Sequence, residues 1–257
     1  MPTFYRLLVL PLLLILALLA GRPAQAQTSE SASLVSADSL WQEGQFEATL
    51  EELEALREAH PEDADVLWRI ARAKGDLGEE AEEKDEKETW YRAALEDAHA
   101  AVEADSASAD AFLTQAIAAG RVGLISGTKE KVELSREVKE SVDRAIELDP
   151  DKALAYHVRG RWNYEVASLG FFSRAALKLV YGGLPDASYE SAIEDFRRAI
   201  ELEDQVVHHL ELGKAYLKMD DASRAKDELS RALELENHYP NDAAYKQEAE
   251  AILADLD

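Results

Sequence analysis

The chain has 257 residues, no cysteine and a net charge of −24 at pH 7. This acidity argues against nucleic acid and anionic membrane surfaces as partners of the whole surface, because both carry phosphate groups that attract basic surfaces. Without cysteine the chain has no disulfides, so packing must hold the fold. Hydrophobic residues make up 47% of the sequence and aromatic residues 7%, which with many alanines and glutamates favours helix over sheet. The acidity fits either a functional surface or an adaptation to salt.

The first 26 residues have the pattern of a secretory signal peptide. Arg6 supplies positive charge, an apolar run extends from Leu7 to Ala20, and Ala24-Gln25-Ala26 fits the small residues of a cleavage site. We therefore predict cleavage after Ala26 and export to the periplasm or out of the cell. An uncleaved anchor is the alternative, although the run is shorter than the ~18 residues of a spanning helix. The small, polar residues 27–36 predict a flexible lead-in.

Three related heptapeptides mark helix ends in the rest of the chain. They are R-A-I-E-L-D-P at 144–150, R-A-I-E-L-E-D at 198–204 and R-A-L-E-L-E-N at 231–237, with a degenerate copy, A-A-V-E-A-D-S, at 100–106. Each has apolar residues at helical spacing and then a residue that ends a helix. Ala199 and Ala232 are 33 residues apart, close to the ~34-residue period of a tetratricopeptide (TPR) helix pair. The sequence predicts an all-α, TPR-like superhelix of about five helix pairs over residues 37–257.

The last helix pair is the most clearly defined in the sequence, and the longer units can be compared with it. The sequence predicts one helix from Val206 to Lys218 and a returning helix from Ala222 to Leu235. Asp221 is predicted to be the N-cap of the returning helix. Small residues at Gly160 and Ala225 predict close helix crossings. The second, third and fourth units are longer than the TPR period, and loop insertions in a solenoid emerge on one edge, where function is added.

The insertion of the fourth unit is unusually apolar. It extends from Phe171 to Leu184, and its candidate surface residues are Phe171, Phe172, Leu177 and Tyr181. Two interpretations remain open. The insertion either folds over the neighbouring helices as additional core, or forms a mobile lid or a segment that touches a membrane.

The stretch from Leu95 to the C-terminus resembles the regulator of microtubule dynamics family, also called the family with sequence similarity 82. The resemblance rests on V-D-R-A-I-E-L-D-P at 142–150, on G-R-W-x-Y-x-V-x-x-L at 160–169, and on a long insertion that ends in L-P before Tyr189. It implies an atypical TPR-like domain with interaction roles, and for animal members association with microtubules, spindle poles and mitochondria. Because tubulin is itself acidic, this chain's charge argues against direct microtubule binding.

No catalytic motif is present in the sequence. It has no phosphate-binding loop, nucleophile elbow or His-Glu-x-x-His zinc motif. His208 and His209 are neighbours, so on a helix their side chains point ~100° apart and do not easily share a metal. We therefore predict no enzyme activity, no cofactor and no metal.

The predicted function is a non-enzymatic interaction module, a scaffold or adaptor that binds a protein or peptide segment. The register set by Gly160 and Gly213 predicts the following groove-facing residues: Arg121, His157, Arg161, Lys214 and Lys218. These side chains suit an acidic segment, unless Glu165 and nearby acids neutralise them as a solvated network. The alternative function is an apolar-ligand or membrane-surface module that uses the Phe171–Leu184 insertion.

Overall fold

The structure, a computed structural model, describes residues 24–256. Within that range it has twelve α-helices and no strand. The helices are α1 (Ala24–Gln42), α2 (Phe46–Ala59), α3 (Ala64–Glu80), α4 (Lys84–Ala104), α5 (Ala109–Ile125), α6 (Thr128–Leu148), α7 (Ala153–Ser168), α8 (Phe171–Tyr181), α9 (Tyr189–Leu202), α10 (Val206–Lys218), α11 (Ala222–Glu234) and α12 (Asp242–Leu256). The apolar run predicted to belong to a signal peptide lies outside the described residues. No described helix is both long and apolar enough to span a bilayer.

The helices stack as five antiparallel pairs, which confirms the predicted TPR-like superhelix. The pairs are α1–α2, α3–α4, α5–α6, α7–α9 and α10–α11. The first helices of successive pairs also pack on each other, α3 on α5, α5 on α7 and α7 on α10. Among the described residues the second helices have no such close packing with one another. The stack therefore curves, with the first helices on its concave side.

The repeat alanines set the register of the stack. Ala101, Ala145, Ala199 and Ala232 are each fully buried, because only a small side chain fits where a second helix passes the next first helix. The predicted helix ends are also observed, with α6, α9 and α11 ending at 148, 202 and 234. Asp221 caps α11 as predicted, since its carboxylate accepts a hydrogen bond from the backbone N–H of Arg224 at 3.0 Å.

Two close helix crossings fall where small residues predicted them. A Cβ atom on Gly160 of α7 would lie 2.7 Å from the ring of Phe196 on α9. A Cβ atom on Gly213 of α10 would lie 2.7 Å from Leu229 and 3.4 Å from the carbonyl oxygen of Ala225 on α11. Each crossing is therefore closer than any residue with a side chain would allow without rearrangement.

The N-terminal segment and the first two insertions differ from simple loops. Residues 27–36, predicted as a flexible lead-in, lie within α1, and Ala37 of the same helix is fully buried in a cluster with Leu53, Val66 and Ile70. The extra residues of the second and third units lengthen helices, since α4 and α6 have 21 residues each. The charged run Glu79–Glu88 spans the end of α3 and the start of α4.

The fourth insertion forms α8, which ends at two glycines with left-handed backbone. Gly182 and Gly183 have φ angles of 81° and 83°, a conformation that glycine adopts without strain. Arg136 of α6 holds this turn by donating hydrogen bonds to the carbonyl oxygens of Tyr181 and Gly183. Of the four predicted surface residues, Leu177 and Tyr181 are half-buried. The side chains of Phe171 and Phe172 lie outside the described part of the structure.

Candidate partner-binding groove

The concave side of α7 and α10 carries a charged cluster around one buried carboxylate. Arg161 donates a hydrogen bond to Oε1 of Glu211 at 2.9 Å, and the Lys214 ammonium donates to the same oxygen at 3.0 Å. Glu211 is only 2% exposed, and its Oε2 has no hydrogen-bond partner among the described residues. Two of the predicted groove cations are thus brought together by an acid.

The first half of α12 lies on this cluster. Lys214 donates a second hydrogen bond, at 2.9 Å, to Glu248 of α12. Tyr245, one turn earlier, has a raised pKa because of its burial; the charges of Arg121 and Arg161 lower that pKa and the charge of Glu211 raises it. Tyr245 packs on the apolar cluster formed by α10 and α11, so α12 lies against α10 beside the charged cluster.

Arg121 lies further along the groove and is paired with acids of α3. It donates a hydrogen bond to Asp76 at 2.7 Å and lies 3.5 Å from Glu79. Burial lowers the pKa of Arg121, but the charge and hydrogen bond of Asp76 outweigh it, so the pKa is raised overall. Arg121 passes over Gly75, where an added Cβ atom would overlap its guanidinium at 2.1 Å. The guanidinium is therefore held in place by both charge and packing.

His157, predicted to face the groove, is mostly buried. It is 8% exposed and packs behind the groove, with its Nδ1 3.0 Å from Nδ1 of His208 and its ring on Phe196. Burial, and then the nearby charges of His208, Arg161 and Lys214, hold the pKa of His157 well below its usual value. The lowered pKa favours the neutral ring, and the ring lies against His208 of α10.

Lys218 ends α10 at the rim of the groove. It is exposed, and it forms no ion pair with any residue in the described range 24–256. It is the predicted groove cation whose charge remains open to solvent. In the same helix, His209 turns away from His208 and lies 2.6 Å from both Asp204 and Glu228. Residues 24–256 contain no group of three or more side chains placed to hold a metal.

The loop before α12 connects the two ends of the stack. The Tyr239 ring meets the Trp41 ring of α1 edge-on, with centroids 6.5 Å apart, and its hydroxyl donates a hydrogen bond to Glu203 at 2.7 Å. Trp41 also donates a hydrogen bond to Asp76 at 2.7 Å. Buried Asp242 shapes the loop by accepting hydrogen bonds from the backbone N–H groups of residues 238 and 239. The loop before α12 thus links α1 to the end of α9.

The sequence alone did not identify Glu211, Tyr245 and Glu248 as groove residues. Glu211 lies three residues before Lys214, so helical spacing could have paired them. The position of α12 depends on how the whole stack curves, which local spacing does not report.

Comparisons with known proteins identify the family. The family model described as "Regulator of microtubule dynamics protein 1-3" matches residues 33–257. Regulator of microtubule dynamics protein 1 of Bos taurus is 33% identical over 223 residues, which are 86% of this chain and 70% of that protein. Regulator of microtubule dynamics protein 1 of Caenorhabditis elegans is 28% identical over 225 residues, 86% of this chain and 98% of that protein.

Solved structures confirm the architecture. A thermophilic TPR protein of Thermus thermophilus superimposes with a TM-score of 0.65 at 18% identity, covering 88% of this chain and 99% of that one. PilF of Pseudomonas aeruginosa gives a TM-score of 0.55 at 14% identity, over 90% and 87% of the two chains. At these identities the likeness concerns the fold alone.

The prediction of export after cleavage at Ala26 is wrong. The relatives are animal proteins named as regulators of microtubule dynamics, and microtubules are polymers of the cell interior. The apolar run near the N-terminus resembles an export signal because a short hydrophobic stretch followed by small residues is shared by several kinds of N-terminal segment. The motifs at 142–150 and 160–169 and the insertion before Tyr189 predicted the family correctly, and this TPR-like chain belongs to the regulator of microtubule dynamics family.

Proposed function

We propose that the chain is a non-enzymatic protein–protein interaction scaffold whose concave groove receives an acidic segment of a partner protein. One observation supports the proposal more strongly than the others. Lys214 already holds a carboxylate from a separate element, Glu248 of α12. A partner carboxylate in the place of Glu248 would meet the same ammonium, with Arg161 close by to strengthen the contact.

The contact between α12 and the groove cations is exchangeable. Glu248 has a side chain that is 47% exposed, and ion pairs this exposed contribute about 0–1 kcal/mol. Lys218, one turn from Lys214, is open to solvent. An acidic segment that approaches from the rim would therefore meet Lys218 first and then compete with Glu248 for Lys214.

The architecture and the relatives' names support a scaffold over an enzyme. A TPR-like stack offers mainly surface, and function on such folds comes from what the surface binds. Relatives are named for regulating microtubules, but tubulin and this chain are both acidic. We propose that any related role of this chain operates through a bound protein segment and not through direct contact with the polymer.

The test uses the absence of cysteine. A photo-crosslinker is attached to a single new cysteine, either Met219→Cys, which is 40% exposed beside Lys218 at the groove rim, or Lys129→Cys on α6, where the lysine side chain is 75% exposed. An acidic peptide copying residues 241–252 is then titrated in as a probe. We expect the peptide to crosslink at position 219 at least severalfold more than at position 129, and Lys214→Gln to weaken this. Equal crosslinking at both positions would contradict the proposal.

The choice of Lys214→Gln matters for this test. Reversing the charge of Arg161 or Lys214 would place a second carboxylate beside Glu211, which is 2% exposed. Such a change would destabilise the fold, because two buried like charges repel strongly. Glutamine keeps a hydrogen-bond donor near Glu211 while it removes the charge that an acidic partner would use.

A further inference from the structure

A second surface, separate from the groove, lies on α8. Leu179 is 87% exposed and Val180 is 65% exposed. Leu179 is the most exposed of the large hydrophobic side chains in the described part of the chain. Ala176 lies three and four residues before them and is also exposed, so the three share one face of the helix. An apolar face turned to water costs free energy unless something covers it.

The charge around this face is the opposite of the rest of the chain. Residues 166–185 contain no aspartate or glutamate, although the full chain has 52 acidic residues among 257. The same stretch contains Arg174 and Lys178, both exposed. The segment is thus locally cationic and apolar, while the molecule as a whole carries −24.

The helix is held outward by contacts at both ends. At its start, Arg174 donates a hydrogen bond at 2.9 Å to the carbonyl oxygen of Leu169. At its end, Arg136 of α6 donates to Gly183 at 2.6 Å, and Leu184 packs against the main core cluster. These contacts fix α8 to the stack and leave the face of Leu179 and Val180 open.

We propose that α8 docks onto an anionic membrane surface, with Leu179 and Val180 entering the headgroup region and Lys178 contacting lipid phosphates. A short helix with a basic side and an apolar side is the form that interfacial helices take. An anionic membrane matches this face better than an acidic protein groove does. The apolar side chains are adjacent and uncovered, and they lack the surrounding polar groups that a protein interface has. The acidic repeats do not prevent the approach, because their field is screened within about 8–10 Å.

The binding this predicts is weak and depends on salt. Each Lys or Arg near an anionic leaflet changes affinity by about fivefold, so two cations and two apolar side chains give reversible docking. Raising the salt concentration from about 0.1 M to about 1 M shortens the screening length from about 10 Å to about 3 Å and should reduce binding severalfold.

The test reads out α8 directly, because the sequence also carries the apolar run from Leu7 to Ala20, which could bring any chain to vesicles. An environment-sensitive fluorophore is attached to Ala176→Cys in the full chain, and to Lys129→Cys as the control position. Vesicles of equal parts phosphatidylglycerol and phosphatidylcholine are added, or phosphatidylcholine alone. We expect a blue shift and a severalfold rise in emission at position 176, only with the anionic vesicles, and no change at position 129.

Matched substitutions distinguish binding through this face from non-specific hydrophobic binding. Leu179→Gln with Val180→Gln should abolish the response, and Lys178→Gln should weaken it about fivefold. Val35→Gln with Leu124→Gln, at residues that are 67% and 70% exposed on other helices, should leave it unchanged. An equal response with neutral vesicles, a response that survives the Leu179 and Val180 changes, or a shift caused by raising protein concentration without lipid would each overturn the proposal. The last outcome would instead indicate a second copy of the chain as the occupant.

Discussion

Two neighbouring parts of the chain differ in how their residues are buried. One is the junction of α7, α9 and α10, and the other is the helix α8. The junction, defined by His157, Gly160, Asp195, Phe196 and His208, buries every one of these residues. In α8 the residues from 173 to 180 are exposed, except for half-buried Leu177. Both regions contain polar and apolar side chains. They differ because the junction pairs the charge of Asp195 with Arg159 and packs its rings against one another.

This difference indicates where stability and where function reside. Arg159, which borders the junction on α7, makes bonds of 3.1 and 2.6 Å to Asp195, whereas Lys178 of α8 has no acid nearer in sequence than Glu165 and Asp186. Changes in the junction should therefore alter the free energy of unfolding. Changes on α8 should alter what the chain binds and leave its stability unchanged. The four predictions below test that division.

The largest effect is expected at Asp195. Its carboxylate accepts hydrogen bonds from Arg159 and, at 2.9 Å, from Asn163, and the residue is 6% exposed. Asp195→Ala leaves the half-buried guanidinium of Arg159 with only the longer contact to Asp143 at 3.4 Å and removes the carboxylate that the buried Asn163 amide binds. This should cost about 3–5 kcal/mol in urea denaturation. The control is Glu147→Ala, whose pair with Arg144 is exposed on both sides and should cost less than about 0.5 kcal/mol. Equal losses would mean that the junction charge is not structural.

A smaller loss is expected from adding one methyl group to Gly160. The new Cβ atom of Gly160→Ala would lie 2.7 Å from the fully buried ring of Phe196. Because that ring has no space to move into, we expect a loss of about 1–3 kcal/mol in the free energy of unfolding. Gly120→Ala on α5 is the matched change, since its Cβ would meet only Val138 at 3.8 Å; there the gain in helix propensity should stabilise by up to about 1 kcal/mol. A stabilised Gly160→Ala variant would contradict the observed crossing.

The third prediction concerns pH and the neighbouring residues His208 and His209. Burial lowers the pKa of His208 to about 4, below its unfolded value near 6.5, so the unfolded chain takes up this proton first as pH falls. The stability that His208 contributes is present above about pH 6.5 and is lost as pH falls towards about 4. Between about pH 7 and pH 5.5 the loss should be about 1 kcal/mol.

His209 should show the opposite dependence. Burial lowers its pKa, but hydrogen bonds with Glu228 and Asp204 outweigh burial and raise it overall. Its contribution is therefore complete below about pH 6.5 and is lost as pH rises through the folded pKa. Urea denaturation at about pH 7 and about pH 5.5 would be compared for the unmodified chain, His208→Asn and His209→Asn. The first substitution should reduce the loss of stability on acidification and the second should increase it, and changes in the same direction for both would contradict the assignment.

Much of the junction could be predicted from the sequence because its signals are local. The repeat alanines and Gly160 are small residues at fixed helical spacing, and that spacing determines which residues meet at a crossing. Asp221 was identifiable as a cap for the same reason. These residues act within one helix pair, so the curvature of the whole stack does not change their role.

The groove and α8 were predicted less well, because their environment depends on distant parts of the chain. His157 has the helical spacing of a groove residue with Arg161, yet α10 places His208 against it. Lys214 was predicted to face the groove, either open to an acidic segment or neutralised by nearby acids, but the acid that pairs with it from α12, at position 248, could not be named from local spacing. The apolar side chains of residues 171–184 predicted that this insertion is unusual. The outward direction of the exposed face of α8 follows instead from the contacts of Arg136 and Leu184 with the stack.

The smallest effect on stability is expected for the double change Leu179→Gln with Val180→Gln. Both side chains are mostly in water in the folded chain, so their replacement removes little buried apolar area, and glutamine has a helix propensity close to that of leucine. The free energy of unfolding should therefore stay within about 0.5 kcal/mol of the unmodified value, measured by urea denaturation monitored by circular dichroism. A loss as large as that expected for Gly160→Ala would show that this face packs against the stack. The contrast between α8 and the junction would then fail, because α8 would be core and not a docking surface.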